Sequence, residues 1–237
     1  GYDGVELAIR DPALMDVQAL LALLDRHGLT VPAIGTGQAW GEERLSFTDP
    51  DPAVRRAAVE RACAHIPFAA QVGAQIVIGL LRGVVQPGVD HAQAMDWLVD
   101  ALRHCAAPAA REGVQLCLEP LNRYETDLIH HVADGLALID QVGVDNLGLL
   151  LDTFHMNIEE PDLPGAIRVA GERLFHFHVA DSNRWYPGAG HVDFGHLLAV
   201  LETIGYTGYV SGEFLPRPDA HTAAERAIAY LRSVAPS

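Results

Sequence analysis

The feature that most constrains this chain is a repeated switch between two hydrophobic periods. Short apolar runs at 4–9, 30–35, 75–80, 114–119, 147–152, 174–179 and 208–213 read as strands. Longer helical patterns fill roughly 16–27, 52–72, 91–112, 132–142, 163–171, 194–204 and 219–233. "DRHGLTVP", "AREGVQL" and "ETIGYTGYV" each join a helix end to a glycine and then a strand, which is helix-stop chemistry. Near-continuous apolar strands alternating with helices imply a parallel sheet covered on both faces. Seven strand–helix units are visible, and eight would close a barrel. The expected fold is therefore a (β/α)8 TIM barrel, one domain over 1–237. Its first β/α unit is missing from the sequence shown, which opens abruptly on "GYDGVELAIRDP". An open doubly wound sheet would favour a G-x-G-x-x-G loop, and "IGTGQAW" does not supply one.

Composition narrows the function. With 49% apolar residues, the chain can bury a sizeable core. A formal charge of −15 repels phosphate backbones and argues against nucleic acid as a partner. No apolar run reaches membrane-spanning length, and no signal peptide is evident. Cys63, Cys105 and Cys117 lack metal-finger spacing and read as reduced thiols of a cytoplasmic protein.

Four late strands end on an ionisable residue: Glu119, Asp152, His178 and Glu213. The steps between them are 33, 26 and 35 residues, close to the ~30 residues of one βα unit. Side chains alternate across a strand, so Cys117 with Glu119, His176 with His178, and Ser211 with Glu213 each share a face. The apolar sets suit helix packing, which turns the polar sets toward the barrel axis. Three carboxylates cannot ionise together in a poorly solvated site without a cation. Three carboxylates and an imidazole suit Mn²⁺, Mg²⁺ or Co²⁺ better than a structural thiolate zinc does. A single strand-end acid is more often a helix cap or a surface ion pair; four in register are harder to dismiss. His176 reads as a satisfied interior group.

"EPLNRYETD" (119–127), "LDTFHMNIEE" (151–160), "HFHVADSNRWYPGAGHVDF" (176–194) and "GEFLP" (212–216) resemble the xylose isomerase-like barrels. More narrowly they resemble the ketose 3-epimerases, the tagatose and psicose epimerases. "VELAIRDP", "AIGTGQAW" and "IGLLRG" are most similar to 5-keto-L-gluconate epimerases of inositol catabolism. The resemblance implies one divalent metal on Glu119, Asp152, His178 and Glu213, with Mn²⁺ foremost and Mg²⁺, Co²⁺ or Zn²⁺ as alternatives. It implies Glu119 and Glu213 as the acid/base pair, and Glu125, His155 and Arg184 as substrate-binding residues. It also implies a homo-oligomer acting on a small sugar or sugar acid.

The chemistry that follows is epimerisation: proton removal next to a ketone, a metal-stabilised enediolate, and reprotonation on the opposite face. The expected substrate is a keto sugar acid such as 5-keto-L-gluconate or D-tagaturonate. Arg10 and Arg82, each just after an early strand, are candidates to grip its carboxylate; the plain alternative for Arg10 is an ion pair with Glu6 or Asp11. Trp40, Trp185 and Tyr186 are candidate pocket walls. The rivals are a 3-epimerase of neutral ketoses, an aldose–ketose isomerase of the hydroxypyruvate type, an inosose dehydratase, an endonuclease IV-like repair enzyme, and a non-catalytic sugar-binding barrel.

Overall fold

A computed structural model describes residues 1–236. Seven strands, all parallel, lie side by side in chain order. They are β1 (Leu7–Ala8), β2 (Ala33–Gly35), β3 (Gln75–Ile78), β4 (Leu116–Leu118), β5 (Leu147–Asp152), β6 (Leu174–Val179) and β7 (Val210–Gly212). The helices are α1 (Val17–His27), α2 (Gly37–Glu43), α3 (Pro52–Val72), α4 (His91–Arg111), α5 (Val132–Val142), α6 (Thr153–Glu159), α7 (Leu163–Ala170), α8 (Phe194–Thr203) and α9 (Ala220–Val234). Aspartates 16, 51, 90, 162, 193 and 219 cap α1, α3, α4, α7, α8 and α9, each accepting a backbone N–H of the first turn. Gly28, Gly73 and Gly143 end α1, α3 and α5 in the left-handed conformation.

This is a TIM-barrel-like α/β fold, and its seven strands are consistent with a (β/α) barrel missing one unit. Among the described residues β1 and β7 are the free edges of the sheet. Their flanks are tied: Thr30 Oγ1 lies 2.7 Å from the Tyr209 hydroxyl, and the Tyr2 hydroxyl donates to the Ala224 carbonyl.

Strand parity sorts the core as expected. Ile34, Ile76, Ile78, Leu116, Leu118, Leu149, Leu151, Phe177 and Val179 pack outward into one large cluster with the helices. Each contributes roughly 1.5–3 kcal/mol by leaving water. Ala33, Val77, Cys117 and Leu150 form a small inner cluster. Phe175 breaks the pattern. The β5–β6 register shifts between Leu149 and Leu150, and Phe175 packs on the inner cluster rather than beside Phe177. Gly148 leaves room for that ring, because a Cβ there would overlap it. Two short helices, α2 and α6, occupy segments that the apolar periodicity does not mark. No helix among the described residues is long and apolar enough to cross a membrane. All three cysteines are free.

Candidate active site

Each of the last four strands delivers one ionisable group to the same end of the sheet. Glu119 follows β4, Asp152 closes β5, His178 is the penultimate residue of β6, and Glu213 follows β7. Glu119, His178 and Glu213 line a cleft of about 440 Å³, partly open to solvent, together with Glu6, Thr36, Gly79, Leu121, Glu125, His155 and Arg184.

Asp152 divides its carboxylate. Oδ1 accepts the N–H groups of Phe154 and His155 at 2.6 and 3.4 Å and so caps α6. Oδ2 has no hydrogen-bond partner and stands 3.8 Å from Nδ1 of His178. That nitrogen is likewise unpartnered and lies 3.7 Å from Glu213 Oε2. Glu119 Oε1 is the third orphan, 3.7 Å from Nε2 of His155. Gly79 makes the Glu119 position available: a Cβ there would stand 2.8 Å from Glu119 Oε2.

Glu119, Asp152, His155 and Glu213 each offer an atom within 4.8 Å of the others; by distance the set is completed by His155 and not by the expected His178, whose Nδ1 approaches Asp152 and Glu213 at 3.8 and 3.7 Å. Hydrogen bonding separates them. His155 Nδ1 faces the Asn122 side-chain amide at 2.7 Å and its backbone N–H at 3.3 Å. Both are donors when the amide is oriented this way, so Nδ1 accepts and the proton of neutral His155 sits on Nε2, pointing into the cleft. His178 Nε2 meets Glu6 at 3.0 Å, which leaves Nδ1 to face the carboxylates. His178 is therefore the better ligand and His155 the better donor to an oxygen.

The charges are unevenly matched. Burial, with the carboxylates of Glu213 and Asp152 beside it, pushes the Glu119 carboxyl well above the ordinary range, against the pull of His178 and Arg82. Burial likewise raises Asp152. It opposes ionisation of Glu213 too, but His178 and Arg184 outweigh it and hold that carboxyl below its usual value. Three buried unpartnered donors among three carboxylates are what a divalent cation would satisfy, and the oxygen-rich set fits such an ion.

Arg184 reaches Glu125 Oε1 at 2.9 Å and Glu213 Oε2 at 3.7 Å, with its guanidinium 4.9 Å over the Phe154 ring. Its own backbone is left-handed, φ 61°. Asp181 holds this loop by accepting the N–H groups of Ser182, Gly188 and Val192. Asn122 Nδ2 also donates to Glu125. The expected residues Glu125, His155 and Arg184 thus join the four strand-end groups around one cleft.

The two early arginines part company. Arg10 lies outside the cleft lining, half exposed, and pairs with Glu42 at 2.9 Å and Glu43 at 3.4 Å. Neither Glu6 nor Asp11 is its partner. Arg82 does not line the cleft either; it is fully buried, and none of its three guanidinium nitrogens has a hydrogen-bond partner among the described residues. Burial brings it down to about 10, resisted by the nearby charges of Glu119 and Glu125. Trp40, Trp185 and Tyr186 do not line the cleft; the Tyr186 hydroxyl accepts from Arg226 of α9 instead.

Sequence reasoning missed Glu6 as a site residue, along with Asn122, Gly79 and the pins of the 119–126 loop. Glu159 binds the Arg123 backbone N–H at 2.7 Å and its guanidinium at 2.7–3.1 Å. Glu160 accepts the N–H of Val132. Only Glu6 carried a signal, its place on the inward face of the first strand.

Residues 1–234 match the xylose isomerase-like TIM barrel family. L-ribulose 3-epimerase of Methylomonas sp. is 33% identical over 90% of this chain and 74% of its own length. Ketose 3-epimerase of Arthrobacter globiformis is 34% identical over 89% and 72%. The crystal structure of the 3-keto-D-glucoside 4-epimerase YcjR from E. coli, apo form, superposes with a TM-score of 0.87 at 27% identity, covering 98% of this chain and 90% of that one.

Proposed function

The chain belongs to the xylose isomerase-like TIM barrel family, and from that premise we propose that it is a metal-dependent epimerase of a keto sugar or keto sugar acid. Its named relatives are epimerases, isomerases that act on sugars. Glu119, Asp152, His178 and Glu213 would hold one divalent ion, with Mn²⁺ the first candidate. Such an ion, when bound, supplies positive charge that stabilises the negative charge developing on the substrate's oxygens.

The rest falls to side chains. Of Glu119 and Glu213, one takes the proton from the carbon next to the ketone and the other returns one on the opposite face, and the roles reverse in the back reaction. The two come from strands three places apart, which suits attack from opposite sides. His155 donates its Nε2–H to a substrate oxygen. Glu125 and Arg184 orient the hydroxyls.

The observation that carries the reading is the gathering of Glu119, Asp152, His155 and Glu213 within 4.8 Å of one another, with buried atoms of Glu119, Asp152 and the adjacent His178 left without a hydrogen-bond partner. The test is proton NMR in D₂O with Mn²⁺-reconstituted protein, quenched and freed of the ion before measurement. Keto-gluconates, tagaturonate, fructose, tagatose and psicose are the panel. Epimerisation exchanges one carbon-bound proton and releases no water. Release of water would mean dehydration, and an aldose product would mean isomerisation.

Within this reading we favour a keto sugar acid. Support comes from Arg82, a guanidinium buried behind the cleft lining, without a hydrogen-bond partner and within the charge field of the cleft residues Glu119 and Glu125. A neutral ketose is the second reading, favoured by the ribulose and ketose epimerases among the relatives. Free thiols at Cys63, Cys105 and Cys117 are in keeping with a cytoplasmic location.

A further inference from the structure

Glu6 lies on the chain segment leading into β1, across the mouth from β6, with most of its side chain covered. Its Oε2 is 2.9 Å from Nε2 of His176, and both of its oxygens are 3.0 Å from Nε2 of His178. One carboxylate therefore serves two imidazoles that stand edge to face, with centroids 5.1 Å apart. An ionised carboxylate only accepts, so each Nε2 must carry a hydrogen. In a neutral imidazole the remaining nitrogen is then a lone-pair donor. For His178 that nitrogen is the unpartnered Nδ1, which faces Asp152 and Glu213.

From this we infer that Glu6 is the positioning residue of the metal centre: it sets the tautomer of His178 and aims its Nδ1 into the donor set, using His176 as a second fixed point. The inference rests on the reading of the cleft as a metal site. It makes Glu6 a determinant of ion uptake although Glu6 itself binds no ion. Both of its oxygens are already engaged, which separates this role from that of a fifth ligand. Glutamine has the same shape but brings an N–H₂ group. In Glu6→Gln the amide can accept from one imidazole while its nitrogen faces the other, so the bond that fixes His178 is weakened or lost.

The experiment is a calorimetric titration of the metal-free protein and of Glu6→Gln with Mn²⁺. It is paired with ¹H–¹⁵N NMR of the histidine rings in the Zn²⁺-loaded wild type. One ion per chain is expected, with the variant binding about 10–100-fold more weakly, the usual cost of losing such an outer partner. His178 should carry its proton on Nε2 and none on Nδ1. Equal affinity in the variant, a proton on Nδ1 of His178, or two ions per chain would overturn the inference while leaving the metal site standing. A wild-type protein that takes up no ion would overturn the metal reading itself. If the variant does not fold, the wild-type ring spectrum decides alone.

Discussion

Asp152 Oδ2 and His178 Nδ1 face each other at 3.8 Å, both buried and neither hydrogen-bonded. Two polar atoms left in this way cost the fold something, of the order of 1–3 kcal/mol for each group.

Asp152→Asn keeps an oxygen to cap α6 and removes the buried charge. The expected outcome is a loss of Mn²⁺ affinity of about 100-fold or more, with the metal-free protein no less stable than the wild type. Calorimetry and thermal melts in chelator check this. A metal-free variant that melts clearly lower would show that Asp152 is there for stability and not for a ligand.

Glu213→Gln preserves size and an oxygen but cannot accept a proton. Turnover should fall by about 10²–10⁴-fold, the share usual for general acid–base catalysis, with an ion still bound. Retention of most activity would remove Glu213 from the acid/base pair.

Arg82→Met should lower kcat/KM for a keto sugar acid more than for a neutral ketose, measured side by side. Equal losses on both would reject the carboxylate role. Arg10→Ala should change neither, because Arg10 is engaged by Glu42 and Glu43 away from the cleft.

Glu159 and Arg123 offer a test of the scaffold. The hydrogen bonds from Arg123 bring the Glu159 carboxyl from an ordinary 4.5 to about 2. A lowered folded value means that the pair stabilises above about pH 4.5 and that this contribution fades as pH falls toward 2. Glu159→Gln should therefore melt below the wild type at pH 6, with the gap closing as the solution is acidified. A gap independent of pH would show that the ion pair contributes nothing measurable. Arg123 is well exposed, so the effect is modest.

Much of this was legible in the sequence because strand parity is a rigid rule. The spacing of Glu119, Asp152, His178 and Glu213, with their apolar neighbours facing the other way, was enough to bring four distant residues to one end of a barrel. What escaped depends on other physics. Glu6 finds its partners 170 and 172 residues away, across the barrel, and no local pattern records such a pairing. The helix at 153–159 is seven residues long and is started by a ligand candidate, so its periodicity is too short to register. Phe175 departs from strict alternation because of a register shift between two strands, which leaves no mark in either one alone. Arg10 follows an early strand as a carboxylate candidate should, yet the acids that claim it lie in α2, a helix the apolar periodicity does not mark.

The split carboxylate of Asp152 has one further effect. One of its oxygens is spent on the backbone that begins α6, the turn that carries His155, and the other is left over. The same residue that ends the strand therefore fixes where the next helix starts, and the station of His155 is set by the chain at Asp152 rather than by contacts of its own ring alone.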